Sequence, residues 1–226
     1  MKMNNKVVIF VGVLTEYQGV DLLLEAIPHV VQKVQHVKFV IIGYPNEQLY
    51  RQKAQELGVE PWTHFTGRVS YEEVPRYLSL ADVAVSPKIS VTEANLKLFN
   101  YMAMGLPTVV FDTPVNREIL GHVGVYAKMG DVLSLAEALI GVLMNQERSA
   151  QLAELSRKKA TDEHSWSIVG RRLAEIYKSI QQQPNGLVKE QQDGKREYIG
   201  ERRGRFYGLP FGKSVTRSGP RRHGPR

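Results

Sequence analysis

Short apolar runs alternate with longer stretches of helical period through the first 180 residues, and no other feature limits the fold as strongly. The runs at 7–11 and 39–42 are apolar at every position, which is typical of strands buried on both faces of a sheet. Strands separated by helices form βαβ units, whose crossovers place the strands parallel. The sequence therefore predicts an α/β fold. We expect one Rossmann-like domain over residues 1–180, with a doubly wound parallel sheet and C-terminal helices.

The predicted strands are 7–12, 37–43, 63–67, 82–86, 107–112 and 123–127. The predicted helices are 20–34, 47–57, 71–80, 93–104, 115–120, 131–144, 147–162 and 165–180. The apolar run at 7–14 is too short to cross a membrane and lacks a cleavage-site pattern, so we interpret it as the first strand. The last helix is amphipathic, and its apolar side carries Trp166, Val169, Leu173, Ile176 and Ile180.

The net charge of +7 belongs entirely to a C-terminal tail, residues 181–226. The tail holds 11 of the 30 Lys and Arg residues and 4 of the 23 Asp and Glu residues, which leaves 19 of each sign in residues 1–180. It is rich in Gly, Arg and Pro with few aliphatic residues, so we expect disorder. One hypothesis is peripheral contact with an anionic membrane or with nucleic acid through charge. We favour an extension without function, even read-through in a shifted frame, because no base-reading motif is present.

Residue types that bind metals are sparse in this chain. It has no Cys, its six His are scattered without ligand spacing, and no Asp-x-Asp pair occurs. We therefore expect no metal and no resident cofactor. The absence of Cys also excludes a thiol nucleophile and a disulfide framework, and it suits a cytoplasmic protein.

The turn after the first predicted strand is bounded by two glycines, Gly12 and Gly19. Glycines at this place let backbone N–H groups approach a diphosphate, although tight turns of many other folds use glycine too. The segment is not a Gly-x-Gly-x-x-Gly fingerprint. A dinucleotide-dependent dehydrogenase is therefore the least favoured function.

The most informative segment, residues 92–112, is predicted to hold a helix, a Gly-Leu-Pro break and a buried strand. On a helix that begins at Glu93, the side chains of Glu93, Lys97 and Asn100 share one face. This helix follows the strand at 82–86, and helix starts after strands are where α/β folds bind phosphates. Two structural alternatives stay open: Thr92 caps the helix, and Lys97 only pairs with Glu93.

Three segments resemble the retaining GT-B glycosyltransferases with an E-x7-E motif, the glycosyl transferases group 1 family. They are YMAMGLPTVV at 101–110, GVDLLLEA at 19–26, and THFTGRVS followed by YEEVPRYLSLAD at 63–82. The resemblance covers roughly residues 6–180. It implies transfer of a sugar from a nucleotide diphosphate-sugar donor to an acceptor hydroxyl with retention.

The resemblance implies donor-binding roles for several backbone and polar groups. Gly12 and Gly19 would form the phosphate loop, with Gln18 at a position where the family usually has Lys. The family's Arg of this loop is replaced by Val13. The backbone near Arg68 and Val69 would read the edge of the nucleobase.

The remaining implied roles fall on residues 88–100. Lys88 and Lys97 would bind the diphosphate in place of the missing loop cations. The two glutamates of the family motif fall on Thr92 and Asn100, so Glu93 would bind the sugar only after a shift of one residue, while Asn100 would bind the ribose. Glu93 and Lys97 are the catalytic candidates, since a cation stabilises charge on the leaving diphosphate.

The resemblance extends to only the C-terminal, donor-binding half of the family's two-domain architecture. A complete enzyme would then need a separate acceptor-binding chain or a homodimer through the last helices. In the family these helices cross toward the acceptor domain, so the apolar side of 165–180 is expected to be exposed unless it packs on its own sheet. A non-catalytic nucleotide- or protein-binding module left by truncation is the alternative function. An epimerase-like enzyme is disfavoured, because it also needs two domains.

Overall fold

A computed structural model describes residues 5–182, and all but the first two residues of the predicted tail lie outside this part of the chain. Six strands form one parallel sheet in the order β3-β2-β1-β4-β5-β6. The strands are β1 (Lys6–Val11), β2 (Val37–Ile42), β3 (Thr63–Gly67), β4 (Val83–Ser86), β5 (Thr108–Phe111) and β6 (Gly124–Ala127). Each end lies within one residue of the predicted strand.

All eight predicted helices are present in the described chain. They are α1 (Val20–Val31), α2 (Glu47–Glu56), α3 (Val74–Leu78), α4 (Lys97–Ala103), α5 (Pro114–Leu120), α6 (Val132–Met144), α7 (Gln146–His164) and α8 (Trp166–Gln182). The predicted start of α4 at residue 93 is wrong, because the helix begins four residues later. Helix α3 is also shorter than predicted: residues 71–73 form a turn, and Pro75 lies in the first helical turn.

The two faces of the sheet carry separate apolar cores, and β1 contributes to both. Val8 and Phe10 pack with buried residues of α1, α2 and α6. Ile9, which points the other way because strand side chains alternate, packs with buried residues of α3, α4 and α5. The Rossmann-like doubly wound fold predicted from the continuous apolar strands is therefore confirmed.

Successive strands are added to the sheet in one direction from β1 to β3 and in the opposite direction from β4 to β6, so the order of addition changes between the neighbours β1 and β4. From β1 the chain builds outward through β2 to β3, and it then returns to place β4 on the other side of β1. In open parallel sheets, such a reversal opens a crevice at the carboxyl ends of the two strands, where ligands bind. Residues just after β1 and β4 therefore lie at the expected binding edge.

The apolar side of α8 is exposed. Trp166 is 90% exposed, and Val169, Leu173, Ile176 and Ile180 are all exposed as well. The alternative that this side packs on its own sheet is therefore wrong for these residues. Within residues 5–182, no helix combines the length and the apolar character needed to cross a membrane.

Candidate functional site

The crevice between β1 and β4 brings together residues from three segments of the chain. Gly12 follows β1, and Gly19 ends the turn that leads into α1. Gly19 has a φ of +72°, and a Cβ at this position would lie 1.9 Å from the carbonyl oxygen of Pro87, just after β4. Only glycine combines this left-handed backbone with so close an approach. The turn before α1 is thereby held against the end of β4.

Lys97, the first residue of α4, extends its amine into this crevice. Its Nζ donates to Gln18 Oε1 at 2.5 Å and lies 4.5 Å from the centroid of the Phe10 ring. A Cβ on Gly12 would lie only 2.7 Å from the same Nζ, so the absence of a side chain leaves room for the amine. The structure thus groups Gly12, Gln18 and Lys97.

The environment of Lys97 favours the neutral amine. Burial, and to a smaller extent the positive charge of Lys88, together lower the pKa of Lys97 to about 7. Gln18 is 7% exposed and offers a dipole but no negative charge. A position at the start of a helix is also unfavourable for a cation, because the helix dipole is positive there.

Lys88 is more deeply enclosed than Lys97 and has a different set of partners. The residue is 4% exposed, and its Nζ lies 3.0 Å from Glu93 Oε2. The same Nζ lies 3.4 Å from the carbonyl oxygen of Glu93 and 3.3 Å from that of Ala94. Lys88 therefore ties the segment before α4 to the end of β4.

These contacts correct the predicted helical face of Glu93, Lys97 and Asn100. Glu93 lies in the loop before α4 with its side chain 61% exposed, and it pairs with Lys88 rather than with Lys97. Thr92 is not a helix cap, since α4 begins at Lys97 without any side-chain cap. The carbonyl groups of residues 93 and 94 accept from Lys88, which helps to keep this segment out of the helix.

A buried amide network, which sequence reasoning missed, fixes the loop immediately before α4. Asn95 is 2% exposed, and its Nδ2 donates to Ser86 Oγ at 3.1 Å and to Asn116 Oδ1 at 3.0 Å. Asn116 Nδ2 in turn donates to the Phe111 carbonyl at 2.8 Å. The one signal in the sequence was an Asn inside the predicted first turn of a helix, since Asn favours positions outside helix interiors.

Asn100 lies one turn after Lys97 on α4, so these two side chains remain on neighbouring positions of one helix face. The hydroxyl of Tyr71 donates to Asn100 Oδ1 at 3.5 Å, a contact that the sequence did not indicate. Asn100 and Lys97 are therefore the part of the predicted polar face that the structure retains.

Arg68 and Val69 lie after β3, two strands away from β1 in the sheet. Arg68 is exposed, and its guanidinium carbon lies 4.8 Å from the centroid of the Tyr44 ring, while Val69 packs against the core. These two residues therefore lie at the same carboxyl edge as Lys97 but are not grouped with it. Their predicted role near a nucleobase stays a prediction.

Fold and site together define a Rossmann-like domain that holds two lysines at the reversal point of its sheet. Residues 5–145 match the glycosyl transferases group 1 family, and the chain belongs to this family. The resemblance seen in the sequence is thereby confirmed.

Several curated proteins are similar to this chain. A phosphatidyl-myo-inositol mannosyltransferase of Mycobacterium leprae is 29% identical over 178 residues, which cover 77% of this chain and 47% of that protein. Spore coat protein SA of Bacillus subtilis is 28% identical over 188 residues, which cover 76% of this chain and 48% of that protein. The chain thus spans about half the length of the curated relatives it matches.

Solved structures show the same fold at lower sequence identity. Anabaena Alr3699/HepE, crystallised with UDP and glucose, superposes with a TM-score of 0.69 at 20% identity, over 78% of this chain and 49% of that one. WaaG, a glycosyltransferase involved in lipopolysaccharide biosynthesis, superposes with a TM-score of 0.66 at 20% identity, over 77% and 47%. The coverage of about half agrees with the expectation that this chain corresponds to one of two domains.

Proposed function

We propose that this chain binds the nucleotide diphosphate-sugar donor of a retaining glycosyl transfer to an acceptor hydroxyl. In this proposal the acceptor site lies on a separate chain or is shared in a homodimer. Gly12, Gln18 and Gly19 surround the diphosphate, Lys97 and Lys88 supply the positive charge, and Asn100 binds the ribose. Glu93 reaches the sugar from its exposed loop after it leaves Lys88. No metal and no further cofactor take part.

One observation carries the proposal: the Nζ of Lys97 lies beside Gly12 at the carboxyl ends of β1 and β4. This is the place where parallel α/β sheets bind nucleotides. A cation there stabilises the negative charge that develops on a leaving diphosphate, without the need for a metal. Membership of a glycosyltransferase family and the UDP complex of Anabaena HepE support the same reading.

Calorimetric titration of the full chain with UDP, GDP, ADP and NAD tests this proposal. We expect one nucleoside diphosphate to bind selectively. Lys97→Ala should weaken that binding by roughly 1.5–3 kcal/mol, the usual cost of losing a charged hydrogen bond. Lys33→Ala is the matched control, because Lys33 is exposed after the end of α1, at the opposite edge of the sheet. An unchanged affinity in Lys97→Ala, or no binding of any nucleotide, would contradict the proposal.

A non-catalytic nucleotide- or protein-binding module is the second candidate function. The exposed apolar side of α8 favours it, because such surfaces mark interaction sites. Radiolabelled donor incubated with the full chain alone separates the two candidates. Hydrolysis or transfer of the sugar without a partner would exclude the non-catalytic module.

A further inference from the structure

The two lysines of the site differ in how their charge is balanced. Lys88 has a carboxylate partner, Glu93, together with two backbone carbonyl oxygens. Lys97 has an amide oxygen and an aromatic ring. Among residues 5–182, no acidic side chain forms an ion pair with Lys97. A positive charge on Lys97 is therefore left without a compensating negative charge.

The other charged groups around α4, within the described residues, do not compensate a positive charge on Lys97. The segment between β4 and α4 supplies Lys88, whose charge repels a cation at Lys97, and Glu93, which Lys88 already engages. The turn between β1 and α1 supplies the neutral Gln18 and also Glu16, which forms no ion pair with Lys97 in the described part of the chain, and β1 supplies Phe10. The groups of α7 lie elsewhere on α4: Arg157 donates to the Met104 carbonyl, and His164 packs on the Phe99 ring. Asn116, which follows β5, contacts Asn95 and is neutral.

We propose that Lys97 and Gln18 form a proton-accepting diphosphate subsite, which takes up one proton from the solvent onto Lys97 Nζ when the diphosphate binds. This proposal rests on the proposed function, since it concerns the same ligand. The proton balance is simple: a neutral amine gains one proton from buffer or water and becomes an ammonium ion, and no other bond is made or broken. The diphosphate supplies the negative charge that the free site lacks.

Gln18 sets this behaviour, because its amide oxygen can hold either form of the amine. A carboxylate at position 18 would instead pair with the ammonium and keep Lys97 charged before any ligand arrives. The Gln18→Glu substitution preserves the side-chain length and changes only the charge. It therefore provides a variant in which proton uptake is removed while Lys97 itself is kept.

The pH dependence follows from the lowered pKa of Lys97, about 7 in the free chain. The bound diphosphate raises this pKa, so the complex holds more protons than the free chain. Affinity should therefore be greatest below pH 7 and should fall as the pH rises above it, approaching tenfold per pH unit. At pH 8 most free chains lack this proton, so binding should take up most of one proton.

The experiment is calorimetric titration of the full chain with UDP, GDP, ADP and inorganic pyrophosphate at pH 8, in two buffers of different ionisation enthalpy. At this pH the terminal phosphate of UDP, GDP or ADP has lost its second proton almost completely, so for these three ligands the protein supplies the proton signal. Inorganic pyrophosphate still carries a proton at pH 8, so it tests affinity only. We expect uptake of most of one proton in the natural chain and in Lys33→Met. We expect uptake near zero in Lys97→Met and in Gln18→Glu, with affinity at least tenfold weaker in Gln18→Glu at pH 6.5. Circular dichroism verifies that each variant is folded.

Two outcomes would overturn the proton coupling alone: diphosphate binding without proton uptake in the natural chain, and uptake that persists in Lys97→Met. Absence of binding for all four ligands between pH 6.5 and pH 8 would overturn the proposed donor site, and the coupling with it. The failure of the subsite and the failure of the function are thus distinguishable in one set of titrations.

Discussion

Helices α4 and α5 both begin at the carboxyl edge of the sheet, yet their starts are set in different ways. Helix α5 begins at Pro114, and the residue before it, Thr113, caps the helix with a side chain that accepts from the Asn116 N–H at 3.2 Å. Helix α4 has no side-chain cap, and its start depends on Asn95 and on the contacts of Lys88. A start set by local chemistry is readable from the sequence, whereas a start set by distant contacts is not.

The largest loss of stability is expected at the start of α1, which also depends on a contact distant in sequence: Gly19 lies against Pro87, just after β4. Gly19→Ala should destabilise the fold by about 3 kcal/mol or more, since a Cβ would meet the Pro87 carbonyl oxygen at 1.9 Å. Gly130→Ala is the matched control: Gly130 has the same φ of +72°, but no atom lies within 4 Å of its Cβ position. It should cost only about 1–2 kcal/mol for the left-handed backbone.

Urea denaturation of the two glycine variants measures this difference in the free energy of unfolding. Equal losses of stability in Gly19→Ala and Gly130→Ala would show that backbone conformation alone, and not the contact with Pro87, sets the start of α1.

An intermediate loss of stability is expected when the buried amide network before α4 is broken. Asn95→Ala should destabilise the chain by about 2 kcal/mol, because it removes two buried hydrogen bonds and leaves Asn116 Oδ1 without its donor. In a double-mutant cycle with Asn116→Ala, the two losses should be non-additive by at least about 0.5 kcal/mol. The free energies of unfolding are measured by urea denaturation. If the losses of the two single variants simply add in the double variant, the two amides act independently and do not jointly fix the loop.

The smallest loss of stability is expected when the cap residue of α5, Thr113, is compared with Thr92, the residue that was predicted to cap α4. Thr113→Val keeps the shape of the side chain and should cost about 1 kcal/mol, since it removes the oxygen that accepts from the Asn116 N–H. Thr92→Val should change the free energy of unfolding by less than about 0.5 kcal/mol, because Thr92 is exposed and caps no helix. A comparable loss at both positions would restore Thr92 as a structural residue.

Much of the fold could be predicted because its determinants are local. The strands, such as residues 39–42, can be recognised from their apolar composition and their length. The ends of all six lie within one residue of the predicted ends. Crossover rules reduce the possible strand orders to a few once the strands are known, and the structure identifies the one adopted. The late start of α4 could not be predicted, because its determinants, Ser86 and Asn116, lie 9 and 21 residues from Asn95.

The site was predicted as a set of residues rather than as an arrangement. Lys97 and Gln18 were both candidates, but their direct hydrogen bond joins positions 79 residues apart and has no sequence signature. Glu93 was assigned to the wrong neighbour for the same reason: helical spacing pointed to Lys97, while the folded chain places Glu93 on Lys88. Phe10 was counted only as core, although its ring also lines the surroundings of the Lys97 amine.

The exposed position of Trp166 gives this protein an optical reporter. The chain has two tryptophans, and the other, Trp62, packs against the core. Emission from Trp166 arises in water and is open to a soluble quencher such as acrylamide, whereas emission from Trp62 is partly shielded. Any chain that came to lie on α8 would shift the first signal to shorter wavelength and leave the second in place, so assembly could be followed in solution without a label.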